Sequence, residues 1–325
     1  MASDARISDL RDYIANAEPE HIRARVAYLY FVAGQTQRDI ADSLGITRLR
    51  VNGIVGQCRI DGSVRVDVHI PIAECVALEE RLKARFGLGQ ATVVPAIDDI
   101  DVLQRMIGEA AGALLDRLIG NGMGLGVGWG RTLSWATNRL TRRRHAESWV
   151  ATLMGGLTRG SGTNTFEVAT HFAQALGADC HYLAAPLYCP SVESREMLLT
   201  HDGLADVMRR ARSVDIALVS SGDFSRRSQL AVTPVVRENL AGLRARGAIG
   251  DLLGSFLTAR GELADHPLNE RIMALNIRDL ARIRTSILVS GGLYKFDIVR
   301  AALVSARVNG IVTDEALARA ILEKS

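Results

Sequence analysis

The residue types best suited to bind a small ligand follow apolar, strand-like runs of the sequence. In residues 126–133, Gly128 and Gly130 precede Arg131 and Thr132. Where a strand ends in glycines and a helix begins, free backbone N–H groups and the positive helix end face one point, which suits a phosphate. An arginine adds a bidentate cation. The segment predicts an anion site, with an ordinary strand-to-helix turn as the alternative, because it matches neither a P-loop nor the full dinucleotide-binding motif.

Two further segments have the same arrangement. Residues 155–164 run from a pair of glycines to Asn164, which can cap the next helix. Residues 290–295 contain another pair of glycines and end at Lys295, where a helix begins. Because the positive end of a helix disfavours a cation, we expect Lys295 to serve an anionic or carbonyl ligand. A solvated surface lysine is the alternative.

Other polar residues are weaker candidates. Ser221 lies in residues 220–223, directly after a strand-like run, and Asp251 lies in a glycine-rich turn. His171 lies in a helical pattern and is interpreted as a packing residue. The sequence contains no Ser-His-Asp order, no paired-carboxylate spacing and no cluster of metal ligands. It therefore assigns no catalytic residue, no metal and no cofactor.

A different chemistry is indicated near the N-terminus, where a glycine turn separates two capped helices. Thr36 can cap a helix over residues 37–44, with Asp39 at its third position. Gly45 then supplies a left-handed turn residue, and Thr47 caps a helix that runs to about residue 60. This order predicts a helix-turn-helix motif. A helical hairpin that only packs on the rest of the chain is the alternative.

In such a motif the beginning of the second helix enters the major groove of DNA. Arg48, Leu49, Arg50 and Asn52 are then placed to reach base edges, and residues at the helix ends are placed to reach phosphates. Two glycines inside this helix each cost about 1 kcal/mol relative to alanine, so it is expected to be firm only when packed or bound to DNA. The expected DNA-binding residues are Thr36, Gln37, Arg38, Thr47, Arg48, Leu49, Arg50, Asn52 and Arg59.

The rest of the chain supplies the elements that must position the ligand-binding residues. Short apolar runs alternate with helical patterns, which predicts a parallel sheet covered on both faces. Strands are expected over residues 91–95, 124–129, 149–154, 215–220, 285–290 and 308–312, and helices over 22–31, 76–87, 101–119, 164–176, 202–211, 234–246, 295–306 and 314–322.

Charge and composition limit the function classes. The 325 residues carry a formal charge of only +3, but residues 21–66 contain seven arginines against three aspartates. A basic segment of this kind fits nucleic acid. The four cysteines form no CxxC pair and are interpreted as reduced thiols. Because no secretory leader or membrane-spanning stretch is found in the sequence, a cytoplasmic location without membrane contact is expected.

The shifts in charge and pattern predict three regions. Residues 1–20 form an acidic N-terminal extension, residues 21–70 a helix-turn-helix DNA-binding domain, and residues 71–325 an effector-binding and oligomerisation domain. The alternating residues 64–68 predict a short strand that resembles the wing of a winged-helix domain.

Several of these segments, taken together and in order, resemble the SorC family of sugar-responsive bacterial transcription regulators. The resemblance extends from about residue 23 to residue 322. Residues 265–269 and 287–292 are similar to the branch that includes an erythritol catabolism regulator. The matching segments are the helix-turn-helix at 36–60, residues 128–132, 155–164, 185–186, 250–251, 290–295 and 313–315.

The resemblance implies a doubly wound α/β domain, related to the folds of ribose-5-phosphate isomerase and glucosamine-phosphate deaminase, that binds a sugar or sugar phosphate. It also implies a homo-oligomer, a tetramer or dimer, on paired operator half-sites. Thr258 stands where the family tends to have an aspartate, so it is expected to contact a different sugar hydroxyl. The expected effector-binding residues are Gly128, Trp129, Gly130, Arg131, Thr132, Gly155, Gly156, Asn164, Ser221, Asp251, Gly291, Gly292 and Lys295.

These observations predict a DNA-binding regulator of a carbohydrate or polyol catabolic operon. Its effector would be a sugar, a polyol or a sugar phosphate, and the protein would not be an enzyme. The alternative is an isomerase-like or deaminase-like enzyme with an appended interaction module, in which Lys295 would form a Schiff base or act as a base. A third hypothesis gives the N-terminal domain only a protein-interaction role.

Overall fold

The computed structural model describes residues 19–60, 63–64, 71–141, 147–157 and 163–324. The chain divides into two compact units, one up to residue 69 and one from residue 70. Among the described residues, no helix is both long enough and apolar enough to cross a membrane.

The first unit is a small helical bundle. A single helix over residues 22–31 was expected, but the α-helix ends at Ala27 and continues as a π-helical turn, Tyr28–Val32, before Gly34 at φ +68°. Val26, Ile40 and Val51 are fully buried, one from each helix, so the three helices share one apolar core. Its helices are α1 (Glu20–Ala27), α2 (Gln37–Leu44) and α3 (Arg48–Ile60).

The turn between α2 and α3 has the predicted chemistry. The Thr36 hydroxyl accepts the N–H of Asp39 at 3.2 Å, and Gly45 closes α2 in the left-handed region at φ +65°. The Thr47 hydroxyl accepts the N–H of Arg50 at 3.2 Å. Val64 packs against the core of this unit, and the other residues of the expected wing-like strand lie outside the described part of the chain.

The second unit is built on a seven-stranded sheet in which every pairing is parallel. The strands are β1 (Gln90–Val94), β2 (Gly124–Val127), β3 (Trp149–Thr152), β4 (Asp179–His181), β5 (Ile216–Val219), β9 (Thr285–Val289) and β10 (Gly310–Asp314). They lie in the order β1-β10-β9-β5-β2-β3-β4. Successive residues of β5 illustrate why helices cover both faces. Ile216 and Leu218 pack into one core and Ala217 and Val219 into the other.

Helices cover the two faces of this sheet. The three that contribute to the smaller core are α5 (Ile100–Leu118), α6 (Arg131–Ala136) and α7 (Thr165–Leu176). The other face and the edges carry α4 (Pro71–Phe86), α8 (Val192–Leu199), α9 (Asp202–Arg212), α10 (Pro234–Ala245), α11 (Pro267–Glu270), α12 (Ile277–Leu280), α13 (Phe296–Val304) and α14 (Glu315–Glu323). The doubly wound α/β fold is therefore confirmed.

Four strands were not predicted from the sequence. One is β4, which is only three residues long and lies at the sheet edge. The other three form a separate antiparallel sheet of β6 (Ser221–Gly222), β7 (Ala248–Leu252) and β8 (Ser255–Thr258). The turn between β7 and β8 places both Leu253 and Gly254 at positive φ, as a type I′ hairpin requires. Leucine gives no local signal for such a turn, because bulky residues rarely adopt this conformation.

Candidate functional site

A cleft lies beyond the carboxyl ends of three adjacent central strands, β2, β5 and β9. Ligands of open α/β sheets commonly bind in this position. The cleft contains about 540 Å³ of space between atoms, part of which is open to solvent. Its lining residues are Gln104, Trp129, Gly130, Arg131, Thr132, Ser220, Ser221, Gly222, Asp223, Arg227, Ser228, Gln229, Leu230, Asp251, Tyr294 and Lys295.

Lys295 is a buried cation in this cleft. It ends a short 3₁₀ turn after β9 and is only 9% exposed. Burial lowers its pKa from the usual 10.5 to about 8, although the negative charges of Asp223 and Asp251 oppose the shift. Its Nζ lies 5.8 Å from the centroid of the Tyr294 ring, and no carboxylate of the described residues is within ion-pair distance of it.

Asp251 is the second buried ionisable group. It is 4% exposed, and its Oδ2 accepts the N–H of Gly254 at 3.0 Å, which ties the carboxylate to the β7–β8 turn. Burial raises its pKa from 3.8 to about 6. A Cβ at Gly222 would lie 2.2 Å from Asp251 Oδ1, so only glycine leaves room for the carboxylate there.

Tyr188 contacts the β7–β8 turn to which the Asp251 carboxylate is bonded. The Tyr188 hydroxyl donates to the carbonyl of Gly254 at 2.5 Å, and the Tyr188 ring stacks on Phe256. Burial raises the pKa of Tyr188 well above 10, so the hydroxyl stays a donor. The β7–β8 turn is therefore hydrogen-bonded both to the Asp251 carboxylate and to the Tyr188 hydroxyl.

Asp223 has an unused hydrogen-bond acceptor. Its Oδ2 accepts the N–H of Ser225 at 3.1 Å, but its Oδ1 is buried and has no partner. An unsatisfied buried acceptor costs about 1–3 kcal/mol, which a ligand hydroxyl could recover. Nearby, the hydroxyls of Ser221 and Ser290 lie 2.8 Å apart, so the exits of β5 and β9 are joined by a hydrogen bond.

The other end of the cleft carries two arginines and one tyrosine. Arg131 Nη1 donates to Asp101 Oδ1 at 3.0 Å, across from α6 to α5. The Arg227 guanidinium lies 5.8 Å from the Tyr294 ring centroid, and the Tyr294 hydroxyl accepts from Gln104 Nε2 at 3.1 Å. These cations can attract an anionic group of a ligand.

The backbone part of the predicted anion site differs from the expectation. The N–H of Gly128 donates to Leu218 O at 2.9 Å, and that of Gly130 donates to Thr163 O at 3.1 Å. Both groups are used within the protein, so they are not the free donors that the sequence indicated. Arg131 and Thr132, which line the cleft, are the remaining candidates for anion recognition in this loop.

The structure brings seven of the expected effector residues to the cleft: Trp129, Gly130, Arg131, Thr132, Ser221, Asp251 and Lys295. The other six shape the surrounding loops. A Cβ at Gly155 would meet Ala185 O at 2.5 Å, and Asn164 caps α7 in a capping box with Glu167. The residues that do not line the cleft are Gly128, Gly155, Gly156, Asn164, Gly291 and Gly292.

The last glycine pair does not line the cleft but lies in the turn that leads to Lys295, whose N–H donates to Gly292 O at 2.9 Å. Asp314 at the end of β10 accepts the N–H of Gly292 at 2.6 Å through Oδ2 and that of Leu317 at 3.0 Å through Oδ1. Gly292 is at φ +91°, a conformation that favours glycine. Thr258 does not line the cleft, and its hydroxyl accepts the N–H of Arg260 at 3.3 Å.

Nine cleft residues were absent from the expected set. Ser220, Gly222 and Asp223 directly follow an apolar strand, and this position at a strand exit is the signal in the sequence that marks them. Gln104 lies within α5 and Arg227 in a loop, where no local pattern marks them. The nine are Gln104, Ser220, Gly222, Asp223, Arg227, Ser228, Gln229, Leu230 and Tyr294.

The first unit presents a second candidate surface at the beginning of α3. Leu49 is 81% exposed, and Arg48, Arg50 and Asn52 are exposed around it. Gln37 Nε2 donates to Asn52 Oδ1 at 3.2 Å, which joins the two helices of the motif at this surface. Arg38 is exposed on α2, whereas the side chain of Arg59 lies outside the described part of the chain.

Comparison with known proteins defines the class to which this fold and site belong. The family model described as "Putative sugar-binding domain" matches residues 70–323, which is most of the chain. A solved structure of the full-length sorbitol operon regulator SorC from Klebsiella pneumoniae has a TM-score of 0.73 and 25% identity, covering 94% of this chain and 100% of that one. The chain belongs to the SorC family of sugar-binding transcriptional regulators, which confirms the resemblance found in the sequence.

Curated relatives agree with this assignment. The erythritol catabolism regulatory protein EryD of Brucella abortus is 31% identical over 93% of this chain and 96% of its own length. The transcriptional regulator LsrR of Klebsiella pneumoniae is 32% identical over 98% of both chains. Full-length relatives that are named transcriptional regulators show that the chain is a DNA-binding regulator controlled by a sugar-type effector.

Proposed function

We propose that this protein regulates transcription of an operon for carbohydrate or polyol catabolism, with a sugar, polyol or sugar phosphate as effector. The observation that carries the proposal is that one chain combines a capped helix-turn-helix with a cleft at the exits of β2, β5 and β9. We further propose that it acts in the cytoplasm as a homo-oligomer, either a tetramer or a dimer.

The geometry of the first unit supports a direct role of α3 in reading operator DNA. Arg48 and Arg50 can each donate two hydrogen bonds to guanine, and Leu49 can contact a thymine methyl group. Asn52 keeps its amide donors available while Gln37 bonds its oxygen. Thr36 and Thr47 use their hydroxyls as helix caps, so their phosphate contacts would come through the backbone or a shared hydroxyl.

The cleft supports a polar, partly anionic effector. Asp223 and Asp251 can accept hydrogen bonds from sugar hydroxyls, and Lys295 can donate to a sugar oxygen. Arg131 would then bind an anionic end of the effector, if it has one. Effector binding would change DNA affinity by stabilising one quaternary arrangement over another.

The proposal is tested by titrating a DNA fragment from the region upstream of the protein's own gene. Fluorescence anisotropy should show salt-dependent binding, because phosphate contacts release counterions. In the variant Arg48→Ala/Arg50→Ala each lost base contact should cost about 1–3 kcal/mol of binding free energy. Unchanged affinity of this variant would contradict base reading by α3.

The effector half is tested by a thermal-shift screen against sugars, polyols and their phosphates. A ligand at 100 times its dissociation constant should add about 2.7 kcal/mol of stability. A thermal shift with a sugar phosphate would support Arg131 as the anion-binding group. A thermal shift with a free polyol would indicate that Arg131 contacts only hydroxyl groups of the effector. A hit that also changes DNA affinity supports the whole proposal, and a screen in which nothing shifts contradicts its effector half.

A second candidate function is an isomerase-like or deaminase-like reaction in the same cleft. The observation that favours it is the pair of Lys295 and Asp251, whose pKa values of about 8 and about 6 both lie near neutral pH. Groups tuned in this way are common in acid–base catalysis. Aldose and ketose phosphates are incubated with the protein, and NMR measures whether they are converted. Turnover would support an enzyme, and a lack of turnover would support the regulator.

A further inference from the structure

Lysine is rare in this chain and is used differently at one position. The sequence contains 36 arginines and only three lysines, Lys83, Lys295 and Lys324. Lys83 pairs with Glu80 at 2.9 Å, and Lys324 is an exposed residue near the Phe296 ring. Only Lys295 of the three is buried, and it lines the cleft.

Arginine would be the ordinary choice for a cation that only binds an anion. Its guanidinium stays charged and forms bidentate hydrogen bonds, as Arg131 and Arg227 can do in this cleft. A lysine amine differs in one respect that matters here, because it can lose its proton and become a nucleophile. Burial lowers the pKa of Lys295 to about 8, which raises its free-amine fraction at neutral pH roughly 300-fold over that of an ordinary lysine.

The surroundings of Lys295 leave the amine available. No carboxylate of the described residues pairs with its Nζ, so the lone pair of the neutral form is not blocked by an ion pair. Asp223 and Asp251 line the same cleft, and Asp223 Oδ1 is buried without a partner. A nucleophile and two carboxyl groups therefore share one partly enclosed space.

We infer that Lys295 captures an open-chain sugar carbonyl as a reversible imine, so that the effector is an aldose or ketose held covalently. The inference rests on the proposed function, since it concerns the same cleft and its effector. It is independent of whether the sugar also carries a phosphate, which Arg131 would bind.

The step is a balanced condensation without oxidation or reduction. The Nζ lone pair adds to the carbonyl carbon, and the amine proton passes to the carbonyl oxygen to give a carbinolamine. Protonation of the hydroxyl then lets it leave as water while the carbon–nitrogen double bond forms. Asp251, whose pKa of about 6 keeps part of it protonated at neutral pH, can donate that proton and recover it on hydrolysis.

The inference distinguishes effectors that contain a carbonyl group from those that do not, a distinction that hydrogen bonding in the cleft would not make. A polyol or an aldonic acid has no aldehyde or ketone and cannot be captured. D-Erythrose and erythritol form a matched pair, because they differ only in the carbonyl. D-Glyceraldehyde is a smaller aldehyde that any sugar-sized cleft admits.

The test is reductive trapping on the full-length protein at about neutral pH. The protein is incubated with D-glyceraldehyde or D-erythrose and sodium cyanoborohydride, and peptide mass mapping measures the labelling rate of each lysine. Lys295 should be labelled at least about tenfold faster than Lys83 and Lys324. Glycerol and erythritol should give no adduct under the same conditions.

Two variants control for folding and for charge. Lys295→Met removes the amine with little change of shape, and Lys295→Arg retains a cation that cannot form the imine. Both are checked by thermal unfolding and should lose the fast adduct. Lys83→Arg should leave the fast labelling unchanged. Equal labelling of the three lysines, or slow labelling of Lys295, overturns the inference.

DNA binding measured on the same samples separates this inference from the proposed function. If Lys295 is not trapped but a sugar still changes operator affinity, imine capture is wrong and the regulator stands. If Lys295 is trapped but no DNA is bound, the proposed function fails instead. If an aldose alters DNA affinity in the wild type and the effect is lost in Lys295→Arg, both are supported.

Discussion

Asp251 and Lys295 show how burial changes the behaviour of single residues. The folded protein raises the pKa of Asp251 from 3.8 to about 6, so its contribution to stability is complete at low pH and is lost between about pH 4 and pH 6. The folded protein lowers the pKa of Lys295 from 10.5 to about 8, so the contribution of this residue to stability is lost as the pH falls from about 10.5 to 8. Between pH 6 and 8 both groups are charged and both destabilise the fold, which is typical of a binding site.

Asp251→Asn tests this account. Asparagine can still accept the N–H of Gly254 but carries no charge, so at about pH 7.5 the variant should gain on the order of 1–3 kcal/mol in unfolding free energy. The gain should disappear at about pH 4, where the wild-type carboxyl is protonated. Urea unfolding at both pH values measures the difference. The exposed Asp265→Asn is the matched control, and an equal effect of Asp251→Asn at both pH values would contradict the argument.

At the scale of elements, glycine has opposite effects in helix α3 and in the turn before it. Gly53 lies within α3, and a Cβ there would have no atom within 4 Å. Gly45 has equally open space, but its φ of +65° disfavours any other residue. The difference between the two positions is therefore purely one of backbone conformation.

We expect Gly53→Ala to stabilise the first unit by about 1 kcal/mol and Gly45→Ala to destabilise it by a similar amount. The same chemical change thus has opposite signs at two exposed positions. Circular dichroism during urea unfolding of the full chain measures both. A loss of stability in Gly53→Ala would show that α3 depends on glycine for a reason other than backbone freedom.

The crossing of α5 and α6 is another element on which the cleft depends. A Cβ at Gly108 would lie 2.2 Å from Thr132 O, and one at Gly112 would lie 1.9 Å from Ala136 O. This close approach brings Gln104 on α5 beside the helix that carries Arg131 and Thr132. The two glycines therefore act on the site without lining it.

Gly112→Ala should destabilise the second unit by about 1–3 kcal/mol or more, because rigid backbone rather than a flexible side chain meets the new methyl group. Gly120→Ala is the control, since its nearest atom, Met123 Sδ, would be 3.5 Å from the Cβ. Thermal unfolding of both variants gives the comparison. Equal midpoints for the two would contradict the tight helix crossing.

For the whole molecule, the proposed homo-oligomer would have to place two α3 helices on one DNA duplex. Half-sites on the same face of the duplex are separated by about one helical turn, or about 10 base pairs, or by multiples of it. Insertion of about five base pairs between operator half-sites should therefore weaken binding strongly, and insertion of about ten should restore most of it. Anisotropy titrations of the three operators measure this periodicity. Equal affinity for all three would indicate that a single helix-turn-helix binds alone.

The sequence by itself determined the local parts of this protein. The helix-turn-helix could be predicted directly, because the features that define it act over a few residues. These features are the caps Thr36 and Thr47, the left-handed Gly45 and the apolar positions of three helices. The buried strands of the parallel sheet could also be predicted from the sequence, because a strand covered on both faces must be apolar throughout. The family resemblance followed from the order of the same short segments.

Only the tertiary structure decided which polar residues share the cleft. Gln104, Asp223, Arg227 and Lys295 are far apart in sequence, and they meet because β2, β5 and β9 are neighbours in the sheet. The structure also moved the glycines of residues 155–156 and 291–292 out of the lining and into loop packing. Burial of Lys295 and Asp251, and with it their shifted pKa values, depends on packing from several elements. No local pattern in the sequence records that packing.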